Sequence, residues 1–193
     1  MKRRLLASLA ATTAVAASLL ISSAGPATAA APEASASNVS GGGVTSNTML
    51  PANIQVDEKQ FKIVATLRGV GKQIYDCAPG ATTYTFREPA AGLFTLRGIP
   101  AGIHGKSPFW TNFDGSRVEA SKTAEVAQTG TSNVPWLLLT KTKSEGGGTF
   151  GNVALIQRID TRGGQPPAAC GAPTVAVDSV SYTHLTLPTN REV

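Results

Sequence analysis

The sequence predicts an all-β protein: one antiparallel domain, either a β-sandwich or a small barrel, with a single disulfide. Short apolar and β-branched runs alternate with glycine, proline and Asp-Gly turn signals. No segment carries apolar residues at helical spacing over the roughly 11 residues that such a pattern requires. The chain has two cysteines, Cys77 and Cys170, and an even cysteine pair in an exported chain is typical of a disulfide.

The N-terminal stretch has the pattern of a secretory signal. Lys2, Arg3 and Arg4 precede an Ala/Leu-rich apolar segment, which ends at the small-residue site Ala27-Thr28-Ala29. Residues 1–29 are therefore predicted to be a signal peptide, and the mature chain is expected to be secreted and extracellular. Beyond residue 21 no apolar run approaches the roughly 20 residues of a membrane span, so no span is expected.

The charge of the chain changes once this leader is set aside. The full sequence has 17 basic and 12 acidic residues, and three of the basic ones lie in the leader. The remaining chain carries 14 basic and 12 acidic side chains, a net charge of +2. Because nucleic-acid binding rests on a strong and clustered positive charge, no nucleic-acid partner is expected.

The first part of the mature chain predicts a linker followed by short strands. Residues 30–48 are rich in alanine, serine and glycine and predict a disordered linker. Residues 98–108 are broken by glycine and proline and predict a loop. Asp114-Gly115 predicts a hairpin turn. Strand-like runs of β-branched and apolar residues occupy 61–67, 72–77, 82–87, 93–97 and 117–120.

A long hairpin is predicted in residues 134–170. Its first strand covers 136–142, and three consecutive glycines after residue 145 end it. The return strand is predicted over 150–159, with Gln157 on one face and Arg158 on the other. Apolar residues occur on both faces, which indicates that both are covered.

Three groups of residues resemble the secreted "domain of unknown function 3455" family. They are residues 150–164 (FGNVALIQRIDTRGG) with Pro167 and Cys170; Val70, Gly71, Gln73, Ile74, Tyr75 and Cys77; and Pro108, Trp110, Asp114, Gly115 and Ser116. The resemblance covers about residues 50–177 and implies a β-domain at 49–179, with no known activity. Family members have a Gly-Pro pair before the tryptophan, whereas this chain has Ser107-Pro108-Phe109-Trp110.

The C-terminal segment resembles translated sequencing-adapter DNA. Residues 180–193 read VSYTHLTLPTNREV, and this similarity predicts a non-native tail outside the fold. His184 is accordingly left out of the candidate site residues.

The candidate catalytic residues are His104, Asp114 and Ser116. They are the residue types of a hydrolytic relay, in which a base oriented by a carboxylate activates a hydroxyl. An Asp-Gly-Ser turn, however, ordinarily bonds its side chains to its own backbone. A metal site is not expected, because His104 and Asp114 lack a third ligand and the cysteines form no Cys-x-x-Cys pair. No cofactor is expected.

The candidate binding residues are Trp110, Gln157 and Arg158. Tryptophan can stack on a ligand, and an arginine in an apolar strand needs a partner for its charge. The alternative interpretation is structural, with Trp110 in the core and Arg158 bonded to backbone carbonyls.

Two functions are compatible with these observations. The first is a secreted, non-catalytic module that binds a small molecule, a glycan or a surface protein. The second is a secreted hydrolase that uses His104, Asp114 and Ser116. They differ in one observable: a catalytic relay requires the three side chains to converge in a common cleft.

Overall fold

The computed structural model describes residues 44–189. The predicted signal peptide, most of the predicted linker and residues 190–193 lie outside these described residues. The described chain forms eight strands: β1 (Phe61–Asp76), β2 (Thr85–Thr95), β3 (Pro100–Gly105), β4 (Phe109–Asn112), β5 (Arg117–Val126), β6 (Trp136–Glu145), β7 (Leu155–Gly163) and β8 (Thr174–Pro188).

The eight strands form one closed antiparallel barrel. Each strand pairs with the next along the chain, and β8 returns to pair with β1. The all-β prediction is confirmed, and of the two predicted architectures the structure has the barrel. The only helical turns among the described residues are two 3₁₀ turns, Asn47–Met49 and Ala52–Ile54. Within residues 44–189, no helix is long and apolar enough to cross a membrane.

Residues 98–108 do not form the predicted loop, because β3 occupies most of them. Gly102 pairs with Asn112 across the β3–β4 ladder, and a Cβ at Gly102 would overlap the carbonyl oxygen of Thr111. The glycine is therefore required for close approach of two strands rather than for a flexible segment.

The predicted hairpin is confirmed with shifted bounds. Its return strand begins at Leu155 rather than 150 and continues to Gly163. The predicted turn after residue 159 is a bulge within the strand, where Asp160 has a positive φ of 48°.

One half of the barrel interior is filled by the hydrophobic core. Its buried residues come from seven of the eight strands and from the β6–β7 connection, so the cluster lies inside the barrel. Phe150 and Val153 of that connection are fully buried in it. They plug this end of the barrel, which we call the plugged end. The remaining members are Leu67, Leu93, Trp110, Val118, Ala120, Leu139, Ile156 and Leu185.

A second cluster covers the outer face of β5–β8. Leu50 and Ile54, from the segment before β1, pack on Ile159. Asn47 is buried as well, and its side chain accepts a hydrogen bond from Gln157 Nε2 at 2.8 Å. The prediction of a disordered linker to residue 48 is therefore wrong for residues 44–48, and the predicted domain boundary at residue 49 is too late.

The prediction that residues 180–193 lie outside the fold is wrong for residues 180–188. They form the second half of β8 and pair with β1 on one side and β7 on the other. Leu185 is fully buried in the core. These residues fit because apolar and β-branched side chains alternate along them as a barrel strand requires. The foreign origin of the segment stays a prediction.

The predicted disulfide is confirmed. Cys77 and Cys170 are bonded, with their Cα atoms 6.0 Å apart. They join the β1–β2 connection to the β7–β8 connection. In an up-and-down barrel these two connections lie at the same end as the β3–β4 and β5–β6 connections. We call this the mouth, and it is opposite the plugged end.

Candidate functional site

The half of the barrel nearest the mouth encloses a cavity of about 640 Å³. Lys106 and Ser107 of the β3–β4 turn line its rim and are exposed, so the cavity reaches solvent there. Its volume is within the range of small-molecule sites in proteins, roughly 300–1,000 Å³. Eight-stranded barrels are wide enough to hold one small ligand.

The walls of the cavity are mainly apolar. Trp110 separates the cavity from the filled half, since it belongs to the core and also lines the cavity. Leu137 and Leu139 point inward from β6, and Tyr75 and Phe86 form an edge-to-face aromatic pair with ring centroids 5.4 Å apart. Such a surface favours an apolar ligand body, because its burial removes apolar area from water.

A small group of polar side chains lies at the inner end of the cavity. Gln73, His104, Trp110 and Arg158 line both the large cavity and a second space of about 20 Å³ beside it. We call these four residues the polar floor. They come from β1, β3, β4 and β7, which shows that barrel closure brings them together.

His104 is held as a neutral imidazole. Its ring stacks on Trp110 with centroids 4.3 Å apart, and Nδ1 donates to the carbonyl oxygen of Phe109 at 2.7 Å. Burial lowers the pKa of His104 to about 4, although the bond to Phe109 opposes this shift, and the charge of Arg158 lowers the pKa further. At neutral pH the proton is on Nδ1, and Nε2 is a hydrogen-bond acceptor.

Arg158 is a cation that lacks a carboxylate partner. Its Nη2 donates to the carbonyl oxygen of Pro135 at 2.8 Å, as the structural interpretation of this residue expects. Its Nε is buried with no partner. Burial lowers the pKa of Arg158 to about 10, which leaves the guanidinium charged at neutral pH. Among residues 44–189, no ion pair includes it.

The two β1 side chains at the cavity differ in how they are bonded. Tyr75 donates from its hydroxyl to the carbonyl oxygen of Gly164 at 2.7 Å, and burial raises its pKa, so the phenol is neutral. Gln73 is only 6% exposed, and its amide has no hydrogen-bond partner within the described chain. Its amide atoms are not fully buried, so they are open to the cavity and Gln73 is a candidate ligand contact.

Asp114 and Ser116 are at the opposite end of the barrel from His104. They lie in the β4–β5 turn, where the Ser116 hydroxyl donates to Asp114 Oδ1 at 2.5 Å and accepts from Phe150 N at 2.9 Å. Asp114 also accepts from Thr149 N, and the Ser116 and Thr149 bonds hold the pKa of its carboxyl well below the usual range. These bonds tie the turn to the β6–β7 connection at the plugged end. The structure therefore does not bring the three candidate catalytic residues together.

The three candidate binding residues occupy different environments. Arg158 and Trp110 are in the polar floor, and Trp110 is only 2% exposed. Gln157 is on the outer face, where its amide donates to Asn47 and to the carbonyl oxygen of Ile54 and contacts His184. Gln157 therefore fixes the segment before β1 rather than lining the cavity.

Gln73 was absent from the sequence-based candidates. Its period-two alignment with Tyr75 was a usable signal, since a polar side chain on the same strand face as an aromatic one is unusual for a plain core face. Leu137 and Leu139 carry no such signal, because cavity walls and filled cores use the same residue types. Within residues 44–189, no group of three or more His, Cys, Asp or Glu side chains could hold a metal ion.

One comparison with known proteins gives a match. A family model described as "Protein of unknown function (DUF3455)" matches residues 58–184. This range runs from just before β1 into the second half of β8. No curated protein and no solved structure matches the chain.

Proposed function

The chain belongs to the DUF3455 family of proteins of unknown function, and we propose that it is an exported protein that binds one small, mainly apolar molecule inside its barrel. The observation that carries this proposal is the cavity of about 640 Å³ at the mouth. A core built only for stability would be filled, because protein interiors pack to the density of organic crystals. Here the filled core stops at Trp110, and the cavity lies between it and the mouth.

Export is part of the proposal and is supported by two features. The N-terminal 29 residues have the pattern of a secretory signal. The disulfide between Cys77 and Cys170 is typical of proteins that fold in an oxidising compartment.

Among the ligand classes considered, a small molecule has the best support. A glycan platform would use exposed aromatic rings; Trp110 is buried in the polar floor, and the exposed rings of Phe86 and Phe113 lie at opposite ends of the barrel. Hydrolysis through His104, Asp114 and Ser116 has less support, because the Ser116 hydroxyl is already engaged by Asp114 and Phe150 at the far end of the barrel.

The proposal is tested with a neutral apolar dye, N-phenylnaphthylamine, whose emission rises in apolar surroundings. Leu137 lines the cavity, so Leu137→Trp should fill part of it and weaken dye binding by about tenfold or more, equivalent to roughly 1.4 kcal/mol. Ile103→Trp is the matched control, because Ile103 lies outside the cavity lining and is exposed. It should leave the dye affinity unchanged.

The opposite results would reject the binding proposal. If the dye does not bind the wild-type protein, or if Leu137→Trp and Ile103→Trp bind it equally well while both remain folded by circular dichroism, then the cavity is not a binding site.

A further inference from the structure

We propose that the ligand carries a single anionic head group, a carboxylate, which sits on the polar floor against Arg158 while its apolar body fills the cavity. This inference rests on the proposed binding function and names the class of ligand. It follows from three independent features of the described residues: an unpaired cation, an unbonded amide, and the charge around the cavity.

The first feature is the guanidinium of Arg158. Its single hydrogen bond in the described chain runs from Nη2 to the Pro135 carbonyl. Nε is buried without a partner, and Nη1 has no partner either but is not fully buried. A charge removed from water is strongly disfavoured unless an opposite charge compensates it. The carboxylate of Glu125 also lines the cavity, but it pairs with Lys122 and forms no ion pair with Arg158. We therefore expect the ligand to supply a carboxylate to Arg158.

The second feature is Gln73, whose side-chain amide has no hydrogen-bond partner in the described chain and is open to the cavity. It lines both spaces together with Arg158. The Gln73 amide and the Arg158 guanidinium both carry N–H donors, so together they can donate hydrogen bonds to the two oxygens of one carboxylate.

The third feature is the charge distribution around the cavity. Its lining includes four basic side chains and one carboxylate, Glu125, which itself pairs with Lys122 at 2.5 Å. The basic residues are Arg87, Lys106, Lys122 and Arg158. Arg87 pairs with Asp76 and Glu88, so Lys106 and Arg158 are the two that form no ion pair within residues 44–189. Two uncompensated positive charges at a low-dielectric cavity attract a ligand of the opposite sign.

The polar floor matches one negative charge rather than two. His104 is neutral at physiological pH because burial lowers its pKa, so Arg158 is the only full charge on the floor. A monoanionic carboxylate is compensated by it, whereas a dianionic phosphate would leave one charge unpaired in an apolar space.

The test compares three probes with the same ten-carbon body: decanoate, decanol and decylammonium. Binding is measured by calorimetry on the full mature chain at neutral pH. We expect decanoate to bind about 10- to 100-fold more tightly than decanol, because a hydrogen bond to a charged group contributes free energy equivalent to an affinity ratio of about that size. Decylammonium should bind most weakly.

Two variants separate the role of Arg158 from general effects of losing an arginine. Arg158→Met should abolish the preference for decanoate while keeping decanol binding, which also reports that the variant is folded. Arg68→Met is the matched control. Arg68 is half-buried on β1 and its Nε also lacks a partner, but it does not line the cavity. This variant should keep the full preference.

The outcomes distinguish the two proposals. If decanol binds the wild-type protein as tightly as decanoate, the anionic head group is rejected while cavity binding stands. If Arg158→Met retains the preference, Arg158 is not its source and the inference is rejected. If no probe binds and the neutral dye also fails to bind, both proposals are rejected. Should Arg158→Met not fold, the wild-type comparison of decanoate with decanol decides the inference.

Discussion

His104 shows how single contacts set the state of a side chain at the polar floor. Its Nδ1–H is fixed by the carbonyl of Phe109, and its ring is covered by Trp110. Protonation would add a second positive charge near Arg158 on a largely buried ring. In the folded protein His104 therefore stays neutral over a pH range in which a histidine of the unfolded chain is protonated.

This difference predicts a pH dependence of stability. The pKa of His104 is about 4 in the folded protein and about 6.5 in an unfolded chain. Between these values the unfolded state binds more protons, so the free energy of unfolding falls as pH is lowered from about 6.5 to about 4. The loss from this residue is at most roughly 3 kcal/mol.

Urea unfolding at several pH values measures this effect. His104→Asn should flatten the slope between pH 4 and 6.5 (the range set by the two pKa values). His184 is also buried, and burial lowers its pKa, so His184→Gln is the reference background in which His104 is the one remaining histidine of the described chain. An unchanged slope in His104→Asn would show that His104 titrates normally.

The residue scale also shows what the sequence could and could not predict. The alternation along β7 correctly places Gln157 and Arg158 on opposite faces. It does not tell which face is inside, because both carry apolar residues. The outer face is apolar because Leu50 and Ile54 pack on it, and they follow directly on a stretch whose composition resembles a linker.

At the scale of elements, β8 is the strand on which barrel closure depends. It pairs with β1 along nearly its whole length and with β7 on its other side. Its second half contributes Leu185 to the core and Thr183 to the smaller space beside the polar floor. Removing that half would leave β1 and β7 each unpaired on one side along part of its length.

Deletion of residues 180–193 should therefore unfold the barrel or lower its melting temperature by well over 8 °C. Loss of the buried Leu185 side chain alone costs about 2–5 kcal/mol, and 1 kcal/mol corresponds to roughly 2–8 °C in domains of about this size. Deletion of residues 190–193 keeps all of β8 and should leave the melting temperature unchanged. Equal melting temperatures for the longer deletion and the full chain would show that residues 180–188 do not pack.

The sequence predicted an all-β domain but did not distinguish a sandwich from a barrel, because the strand that closes the barrel was assigned to the non-native tail. A sandwich and a barrel differ in whether the last strand returns to the first. That pairing involves residues 180–188, which were set aside for their similarity to adapter-derived sequence. The strand β3 could not be predicted either. Residues 98–108 have the glycine and proline content of a loop, and the sequence does not show that Gly102 is there to allow two strands to approach closely.

At the scale of the whole molecule, the disulfide holds the mouth together. Cys77 and Cys170 are 93 residues apart in sequence, and the same two connections are also joined by the bond from Cys170 N to Thr82 O at 3.0 Å. The Tyr84 hydroxyl accepts from Gly171 N and Ala172 N there. The rim between β1–β2 and β7–β8 is thus fixed by covalent and hydrogen bonds.

The double variant Cys77→Ala/Cys170→Ala should lose roughly 4–5 kcal/mol of unfolding free energy, because a cross-link over so long a loop restricts the unfolded chain. Urea denaturation of the two proteins measures this loss. A reductant should lower the stability of the wild-type protein towards that of the variant and leave the variant itself unaffected. Identical midpoints for the oxidised wild type and the variant would show that the disulfide contributes no stability.

Closure of the sheet also limits the ways in which another protein can bind to the backbone of this one. An open sheet ends in strands with unpaired N–H and C=O groups, which can recruit a strand from another chain and lead to strand addition or aggregation. In the described chain each strand has a neighbour on both sides, since β8 pairs with β1. Pairing with β3 covers only residues 91–94 of β2, and pairing with β4 covers only residues 117–119 of β5. An added strand would therefore find unpaired backbone only in the parts of β2 and β5 nearest the mouth, unless it first separates β1 from β8.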